Sequence, residues 1–377
     1  MPFGRLTNQF RSLAALDLGL FFGLIALGVT GVIMIYSATA SALIQEGFNP
    51  HYFLERQAEY VVIGIVIMYV VSLIDYKSFE ILATPFYIAI VAALLGVFVL
   101  GQSALGAQRW YNLGFIQVQP SEFAVLVIVL AMATFCERRP DGLTMRDVVR
   151  LLLLVLVPMV LIFRQPDLGT SIILVLVAGA ILVIAGVPPR FLSLLVVAGS
   201  AALIAGVYLQ ILHKYQVDRF VSFLNQNSTN PQLQALIYEV SNAKSAIGAG
   251  GLHGAGLFHG MQTVLGYVPE QHTDFIFTAI GEQLGFIGTL FVVLLLAFVA
   301  WRMFAIGRNA KDTLGRLLSI GIFVFFSFSC FENIGMTMGI MPVTGIPLPL
   351  LSYGGSSAIV FFIAGGVVLS VSRKHKN

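Results

Sequence analysis

The chain alternates between long apolar runs and short polar connections over almost its whole length. Most runs hold roughly 20 residues, which is the length a helix needs to cross the hydrocarbon core of a bilayer. Barrel strands of an outer membrane would instead alternate apolar and polar residues over about ten positions, a pattern these runs do not follow. The pattern predicts an all-α integral membrane protein with about ten transmembrane helices. We place these helices near residues 16–36, 58–74, 80–100, 121–136, 148–163, 169–186, 191–211, 282–302, 316–336 and 355–372.

Composition and charge agree with a protein embedded in a membrane. Hydrophobic residues make up 58% of the 377 residues and charged residues only 10%, whereas soluble proteins carry about a quarter charged residues. Of the 21 lysines and arginines, 15 fall on the side that carries both termini. Because cytoplasmic loops are enriched in Lys and Arg, we predict both termini in the cytoplasm. The net charge of +3 is accordingly an orientation signal, and it does not indicate a nucleic-acid partner.

One segment interrupts the pattern within what we interpret as a single polytopic domain spanning 1–377. Residues 213–281 are long, mixed in polarity and rich in glycine. The predicted topology makes them an extracytoplasmic loop between the seventh and eighth helices. Loops beyond about 12–15 residues usually carry function, so we expect chemistry in this loop first.

Acidic residues at the edges of the predicted spans are the next signal. An ionisable side chain at membrane depth is costly unless it faces a cavity or a partner. These acids all fall on the predicted outer side, where Arg56, Arg109, Arg164 and Lys244 are possible partners. They are either functional groups or members of ion pairs that tie helix ends together. The acids are Glu122, Asp167, Glu270, Asp274, Glu282 and Glu332.

The segment 267–277 places His272, Thr273 and Asp274 directly against an aromatic and aliphatic run. A carboxylate beside an apolar wall is poorly hydrated, which raises its pKa and makes it a better general base near neutral pH. Alternatively, Asp274 caps the N-terminus of the eighth helix, a position that Asp favours. Position alone slightly favours the cap.

Upstream, residues 244–256 contain Lys244 followed by a cluster of glycines. Tightly turned backbone of this kind can present N–H groups to an anion such as pyrophosphate, with the lysine as counter-charge. The spacing matches neither a Walker A motif nor a dinucleotide-binding fingerprint. The alternative is a tight or flexible turn without a ligand.

Six motifs, taken together and in order, resemble the SEDS family (shape, elongation, division and sporulation), the multi-span peptidoglycan glycosyltransferases of bacteria. The resemblance covers nearly the whole chain. The first motif and the segment Met341-Pro342-Val343-Thr344-Gly345-Ile346-Pro347, which leads into the last motif, are closer to the elongation branch than to the division branch. The motifs are Gly106-Ala107-Gln108-Arg109-Trp110, Gln119-Pro120-Ser121-Glu122, Gln165-Pro166-Asp167-Leu168-Gly169-Thr170-Ser171, the 248–256 glycine segment, Pro269-Glu270-Gln271-His272-Thr273-Asp274-Phe275-Ile276-Phe277 and Pro347-Leu348-Pro349-Leu350-Leu351-Ser352-Tyr353-Gly354-Gly355-Ser356.

The resemblance implies an enzyme of the bacterial cytoplasmic membrane that joins lipid II units into glycan strands on the outer face, during elongation and rod-shape maintenance. The family's essential aspartate corresponds to Asp274, which favours the general-base alternative over the cap. It would deprotonate the 4-hydroxyl of an acceptor sugar, which attacks a polyprenyl-pyrophosphate donor with inversion. The remaining candidates for substrate binding are Arg56, Arg109, Glu122, Asp167, Lys244, His272, Thr273, Glu282 and Ser352.

The same resemblance implies further components of the reaction. It requires no organic cofactor, and a divalent cation (Mg or Mn) could assist the departing pyrophosphate. The implied protein partner is a class B penicillin-binding protein, a transpeptidase, within the elongation machinery. A lipid II flippase and a non-catalytic scaffold are the alternative functions. The chain departs from the family pattern at Val125, Asn242-Ala243 and Ala255, where polar or basic groups are usual.

Overall fold

The computed structural model describes residues 16–104, 107–112, 114, 117–139, 142–208 and 214–375. Three of the 15 basic residues counted above, Arg5, Arg11 and Lys376, lie outside the described residues. So do Gly106 of the first motif and the end of the predicted 191–211 helix. A helix lies at each of the ten predicted positions. These helices are α1 (Leu18–Gln45), α2 (Tyr52–Leu73), α3 (Phe79–Leu100), α4 (Pro120–Glu137), α5 (Met145–Arg164), α6 (Leu168–Ile184), α7 (Pro189–Tyr208), α11 (Ile276–Arg308), α12 (Thr313–Thr337) and α13 (Gly355–His375).

The described helices include seven that are long and apolar enough to cross a membrane, and two shorter apolar helices at Leu168–Ile184 and Pro189–Ala201. The chain is therefore a multi-pass membrane protein. Helices α2 and α13 pack closely because small residues line their contact: a Cβ at Gly64 would lie 2.2 Å from the Phe362 ring. At the same contact, a Cβ on Gly366 would lie 2.7 Å from the Met68 carbonyl oxygen. Small residues let helix backbones approach where water supplies no hydrophobic drive between helices.

A small antiparallel sheet was not predicted from the sequence. Strand β1 (Gln102–Ala104) pairs with β2 (Ala107–Asn112), which pairs with β3 (Gln117–Val118). The strands are too short to produce a recognisable alternation of apolar and polar residues. The sheet follows α3, and it matters because β2 carries Arg109.

The extracytoplasmic loop predicted over 213–281 requires two corrections. It ends at Phe275, because α11 begins at Ile276 rather than near residue 282. It also contains three helices of its own, α8 (Lys214–Leu224), α9 (Pro231–Ala249) and α10 (Met261–Val264). The low hydropathy of these helices hid them from a search for apolar runs.

Helix α11 is kinked at Gly285, whose φ of 65° and ψ of −169° are not helical. The glycine segment packs against this kink and supplies hydrogen-bond partners for its backbone. The Phe286 amide donates to the Gly251 carbonyl at 2.8 Å, and the Ala255 amide donates to the Glu282 carbonyl at 2.9 Å. These contacts favour the tight-turn alternative for the glycines, because amides predicted to cradle an anion are already paired.

Candidate active site

A cavity of about 730 Å³ opens where the first turns of α2, α4, α6 and α13 meet. The loop before α11 and the segment 344–347 complete its wall. Aromatic and aliphatic side chains, including Phe325, Val360 and Phe361, form another part of the lining. The charged residues of the lining are Arg56, Arg109, Arg219, Glu122, Asp167, Glu270 and Asp274.

Asp274 lies at the end of a tight turn centred on Glu270. Glu270 adopts a positive φ of 47°, which is unusual for a residue with a side chain. Its carbonyl accepts hydrogen bonds from the amides of Thr273 at 3.2 Å, Asp274 at 3.1 Å and Phe275 at 3.3 Å. The N-cap of α11 is Phe275, and no side chain caps it. The capping alternative for Asp274 is therefore wrong, and its carboxylate faces the cavity.

Burial, the largest cause, together with the negative charge of Glu270, raises the pKa of Asp274 to about 6. The positive charges of Arg219 and Arg109 lower it, while Glu239 on α9 raises it. A carboxylate with such a pKa is ionised at neutral pH and still basic enough to accept a proton from a hydroxyl in a transition state. Its chemistry fits general-base catalysis.

Two arginines lie in the same part of the cavity and are fixed by backbone carbonyls. The Nε of Arg109 donates to the Gln165 carbonyl at 2.8 Å, and its guanidinium also donates to the Pro166 carbonyl. An NH group of Arg219 donates to the Thr344 carbonyl at 3.1 Å. Arg109 was predicted, whereas Arg219 was not, because a lone arginine on the amphipathic helix α8 resembles an ordinary solvated residue.

Asp167 and Glu122 line the cavity but differ in how their oxygens are satisfied. Asp167 caps α6: one oxygen accepts from the Thr170 amide at 3.1 Å, and the other accepts from the hydroxyls of Thr170 and Ser121 at 2.9 Å. The Oε2 atom of Glu122 is buried without a hydrogen-bond partner among the described residues. The geometry gives Asp167 a structural role and leaves one buried oxygen of Glu122 without a partner among the described residues.

Arg56 and Thr273, two further predicted substrate contacts, also lie on the lining. Arg56 is 3.6 Å from Glu59 one turn along α2, and its side chain is about one third exposed at 34%. The hydroxyl of Thr273 donates to the Glu270 carbonyl at 3.0 Å. Both residues are thus placed to contact a bound molecule.

Lys244 and His272 are not among the residues lining this cavity. The Lys244 ammonium group donates to the Gln226 side chain at 2.9 Å on the exposed face of α9. The His272 ring packs against Phe53 with 4.6 Å between centroids, and its carbonyl accepts from the Tyr353 amide at 2.9 Å. Burial lowers the pKa of His272. Their predicted substrate contacts stay predictions.

Glu282 and Ser352 likewise lie away from the lining. Glu282 is buried, and its carboxylate accepts hydrogen bonds from the Gln262 amide at 2.7 Å and from the Thr263 amide and hydroxyl at 3.0 and 2.6 Å. The Ser352 hydroxyl accepts from the Leu348 amide at 2.8 Å. These contacts give both residues structural roles, and their predicted substrate contacts also stay predictions.

Within the part of the chain that the structure describes, no three His, Cys, Asp or Glu side chains cluster closely enough to hold a metal ion. The predicted Mg or Mn ion stays a prediction, since Mg²⁺ is often held by one or two carboxylates together with substrate phosphates. The steps considered below use only side chains of the chain itself.

The fold and the cavity together define a polytopic membrane protein in which a carboxylate and arginines face one cavity. The chain belongs to the SEDS family: the model of the FtsW, RodA and SpoVE family, described as cell cycle protein, matches residues 18–377. It is 36% identical over 361 residues to the peptidoglycan glycosyltransferase MrdB of Escherichia coli K12, covering 96% of this chain and 94% of that protein. It is 33% identical to the probable peptidoglycan glycosyltransferase FtsW of Bacillus subtilis, covering 96% and 92%.

Solved structures show the same relationship. A chain from a structure described as the structural coordination of polymerization and crosslinking by a peptidoglycan synthase complex superposes with a TM-score of 0.80 at 29% identity, covering 96% of this chain and 98% of that one. The rod shape determining protein RodA of Thermus thermophilus superposes with a TM-score of 0.70 at 28% identity, covering 96% and 98%. The family and fold predicted from the motifs are confirmed.

Proposed function

We propose that this protein is a peptidoglycan glycosyltransferase that polymerises lipid II into glycan strands during cell-wall elongation. The observation that carries the proposal is the pairing of a partly buried carboxylate, Asp274, with Arg109 and Arg219 in one cavity. The reaction needs a base for the acceptor hydroxyl and positive charge for the departing pyrophosphate. The names of its relatives support the same activity.

In the proposed step, Asp274 accepts the proton of the acceptor's 4-hydroxyl. The oxygen then forms a bond to the anomeric carbon of the donor sugar, with inversion. The bond from that carbon to the pyrophosphate oxygen breaks, and polyprenyl pyrophosphate leaves with the electron pair. Fixed cations aimed at the oxygen where charge develops stabilise such a transition state without reorganising. Backbone carbonyls hold Arg109 and Arg219 in place, which supports this role for them.

Aromatic side chains suit the sugar part of the substrate. Tyr52, Phe53, Tyr60 and Tyr353 line the cavity next to the Asp274 turn, and the rings of Phe53 and Tyr353 lie 4.9 Å apart edge to face. The C–H faces of a pyranose ring are apolar, so they pack against aromatic rings while the hydroxyls reach polar groups. Arg56 lies on the same side, within electrostatic reach of Tyr60.

The distribution of basic residues supports an orientation of the protein in the membrane. The end of the helices opposite the cavity carries most of the lysines and arginines, which cytoplasmic loops favour. We place the cavity on the outer face and both termini in the cytoplasm. A lipid-tailed donor could then enter from the bilayer while its pyrophosphate reaches the arginines. By analogy with the synthase complex, the partner is a class B penicillin-binding protein that cross-links the strands.

Purified protein in liposomes containing labelled lipid II tests the proposal. We expect wild-type protein to produce long glycan strands, and Asp274→Asn to reduce the rate by about 10²–10⁴-fold, the usual worth of a general base. Glu46→Gln is the matched control, since Glu46 is an exposed acid at the same end of the helices. Near wild-type polymerisation by Asp274→Asn would refute the base assignment.

The same liposomes separate the alternative functions. Movement of label across the bilayer without polymer would identify a flippase, and neither activity would identify a scaffold. A chelator added to the wild-type reaction tests the predicted divalent cation. Addition of the transpeptidase tests the partner, because a functional partner should change the polymer length or rate.

A further inference from the structure

A buried amide on α12 connects the two segments that form the reactive part of the cavity. Asn333 is fully buried near the end of α12. Its Nδ2 atom donates to the Asp274 carbonyl at 2.8 Å and to the Ile346 carbonyl at 2.8 Å. Both partners are carbonyl acceptors, which fixes the orientation of the amide, since only its nitrogen can donate. One side chain therefore bridges the turn that carries the base and the segment 344–346.

The segment 344–346 is itself tied to other cavity groups. The Thr344 carbonyl accepts from Arg219 at 3.1 Å, and the Thr344 hydroxyl donates to Glu332 at 3.0 Å. The next residue, Gly345, has a φ of +77°, and a Cβ there would lie 3.1 Å from the Asp274 Oδ2 atom. The segment 344–346 thus contacts the Asp274 carboxylate and accepts a hydrogen bond from Arg219, and Asn333 joins the segment to the Asp274 backbone.

We propose that Asn333 is a positioning residue for glycosyl transfer. It holds the Asp274 backbone against residues 344–346, so that the Asp274 carboxylate and the Arg219 guanidinium keep a fixed separation. The proposal rests on the function proposed above. No hydrogen bond to the Asp274 carboxylate is present among the described residues, so its direction depends on the backbone to which it is attached. Displacing a reacting group by about 1 Å can cost roughly 10²-fold in rate.

Asn333→Leu removes both donors at similar side-chain volume, without adding a charge. We expect kcat in the lipid II assay to fall about 10–100-fold, while KM changes less than about threefold because the lining side chains remain. The acid limb of the pH profile should move to lower pH, because a loosened turn admits water to Asp274. The charged groups around that carboxylate, Glu270, Glu239, Arg219 and Arg109, are unchanged in this variant.

Thr337→Val is the matched control, one turn further along α12. Thr337 is also fully buried, but its hydroxyl donates only to the Ile334 carbonyl of its own helix, at 2.8 Å. We expect its kcat and acid limb to equal those of wild type, even if its thermal unfolding temperature falls. A role of Asn333 in stability alone would lower the unfolding temperature of Asn333→Leu but leave its kcat per folded molecule and its acid limb at the wild-type values.

Asn333→Ser provides a second, milder variant in case the leucine variant does not fold. Its hydroxyl can donate one hydrogen bond, so we expect a smaller fall in kcat than for leucine. Wild-type kcat and an unmoved acid limb in a folded Asn333 variant would overturn the positioning role. Because Asp274→Asn is measured in the same assay, loss of activity there with wild-type activity here overturns the positioning role alone. Retained activity in Asp274→Asn would instead overturn the base assignment.

Discussion

Glu282 and Asp274 are two carboxylates near the start of α11, and they differ in their hydrogen bonding. Glu282 accepts three hydrogen bonds from residues 262 and 263 and holds α10 in place. Asp274 accepts none through its side chain among the described residues, and burial raises its pKa to about 6. A satisfied carboxylate stabilises the fold, whereas an unsatisfied one at a cavity remains reactive. Proximity to the helix start therefore does not distinguish the two roles, but hydrogen bonding does.

The glycines around these two carboxylates show the same contrast. Gly254 has a φ of +78°, and a Cβ there would lie 2.1 Å from the Gln283 carbonyl oxygen, so this glycine permits backbone packing at the kink. Gly345 also has a positive φ, but its neighbour is the Asp274 carboxylate at 3.1 Å. The region around the kink is built for close packing, and the region around Asp274 is built to place a reactive group.

The largest effect should come from adding a methyl group at the kink. Gly254→Ala combines a strained φ with a clash against rigid backbone, and we expect a loss of at least about 3 kcal/mol in stability. Thermal unfolding in detergent would show this as a large fall in unfolding temperature or as failure to obtain folded protein. Gly248→Ala is the control, because its Cβ meets nothing within 4 Å and it lies in helix α9. Equal stability of the two variants would contradict a packing role for the glycine segment.

The next effect concerns Glu282 and sharpens its contrast with Asp274. Glu282→Gln keeps the shape of the side chain but replaces one carboxylate oxygen by an NH₂ group. That group cannot accept hydrogen bonds from the amides and the hydroxyl that Glu282 binds in the wild type. We expect a loss of about 2 kcal/mol in stability, as for hydrogen bonds to charged groups, with kcat per folded molecule unchanged. Thermal unfolding and active-site-normalised polymerisation would measure the two quantities. A large fall in kcat at unchanged stability would instead support the predicted substrate contact of Glu282.

Much of this fold could be predicted from the sequence, because apolar runs report membrane spans directly. The kink at Gly285 could not be predicted, since a single glycine inside a predicted span is ordinary and the break depends on packing against Gly254. Arg219 could not be predicted either, because its role comes from the tertiary position of α8. Asp274 was identified by the resemblance of its motif, whereas its position alone favoured a cap that the structure excludes.

A methyl group beside the base should affect activity more than stability. Gly345→Ala would place a Cβ 3.1 Å from Asp274 Oδ2 and push the carboxylate from its position. We expect kcat to fall about tenfold, equivalent to about 1.4 kcal/mol in the barrier. Gly266→Ala is matched for backbone strain, with a φ of +65° and nothing within 4 Å of its Cβ. If the two variants lose activity equally, backbone strain rather than contact with the carboxylate explains the loss.

The smallest effect is a pH dependence that separates the two carboxylates. Asp274 must be ionised to accept a proton, so activity should rise with pH and reach half its plateau near pH 6, where burial sets its pKa. Because the charge of Glu270 raises that pKa, Glu270→Gln should lower it and move the acid limb of kcat to lower pH. Glu282→Gln should leave the limb unmoved, since Glu282 is not among the groups that shift the pKa of Asp274. Polymerisation rates measured from pH 5 to 8 test this prediction. An acid limb that moves in Glu282→Gln and not in Glu270→Gln would show that Asp274 is not the titrating group.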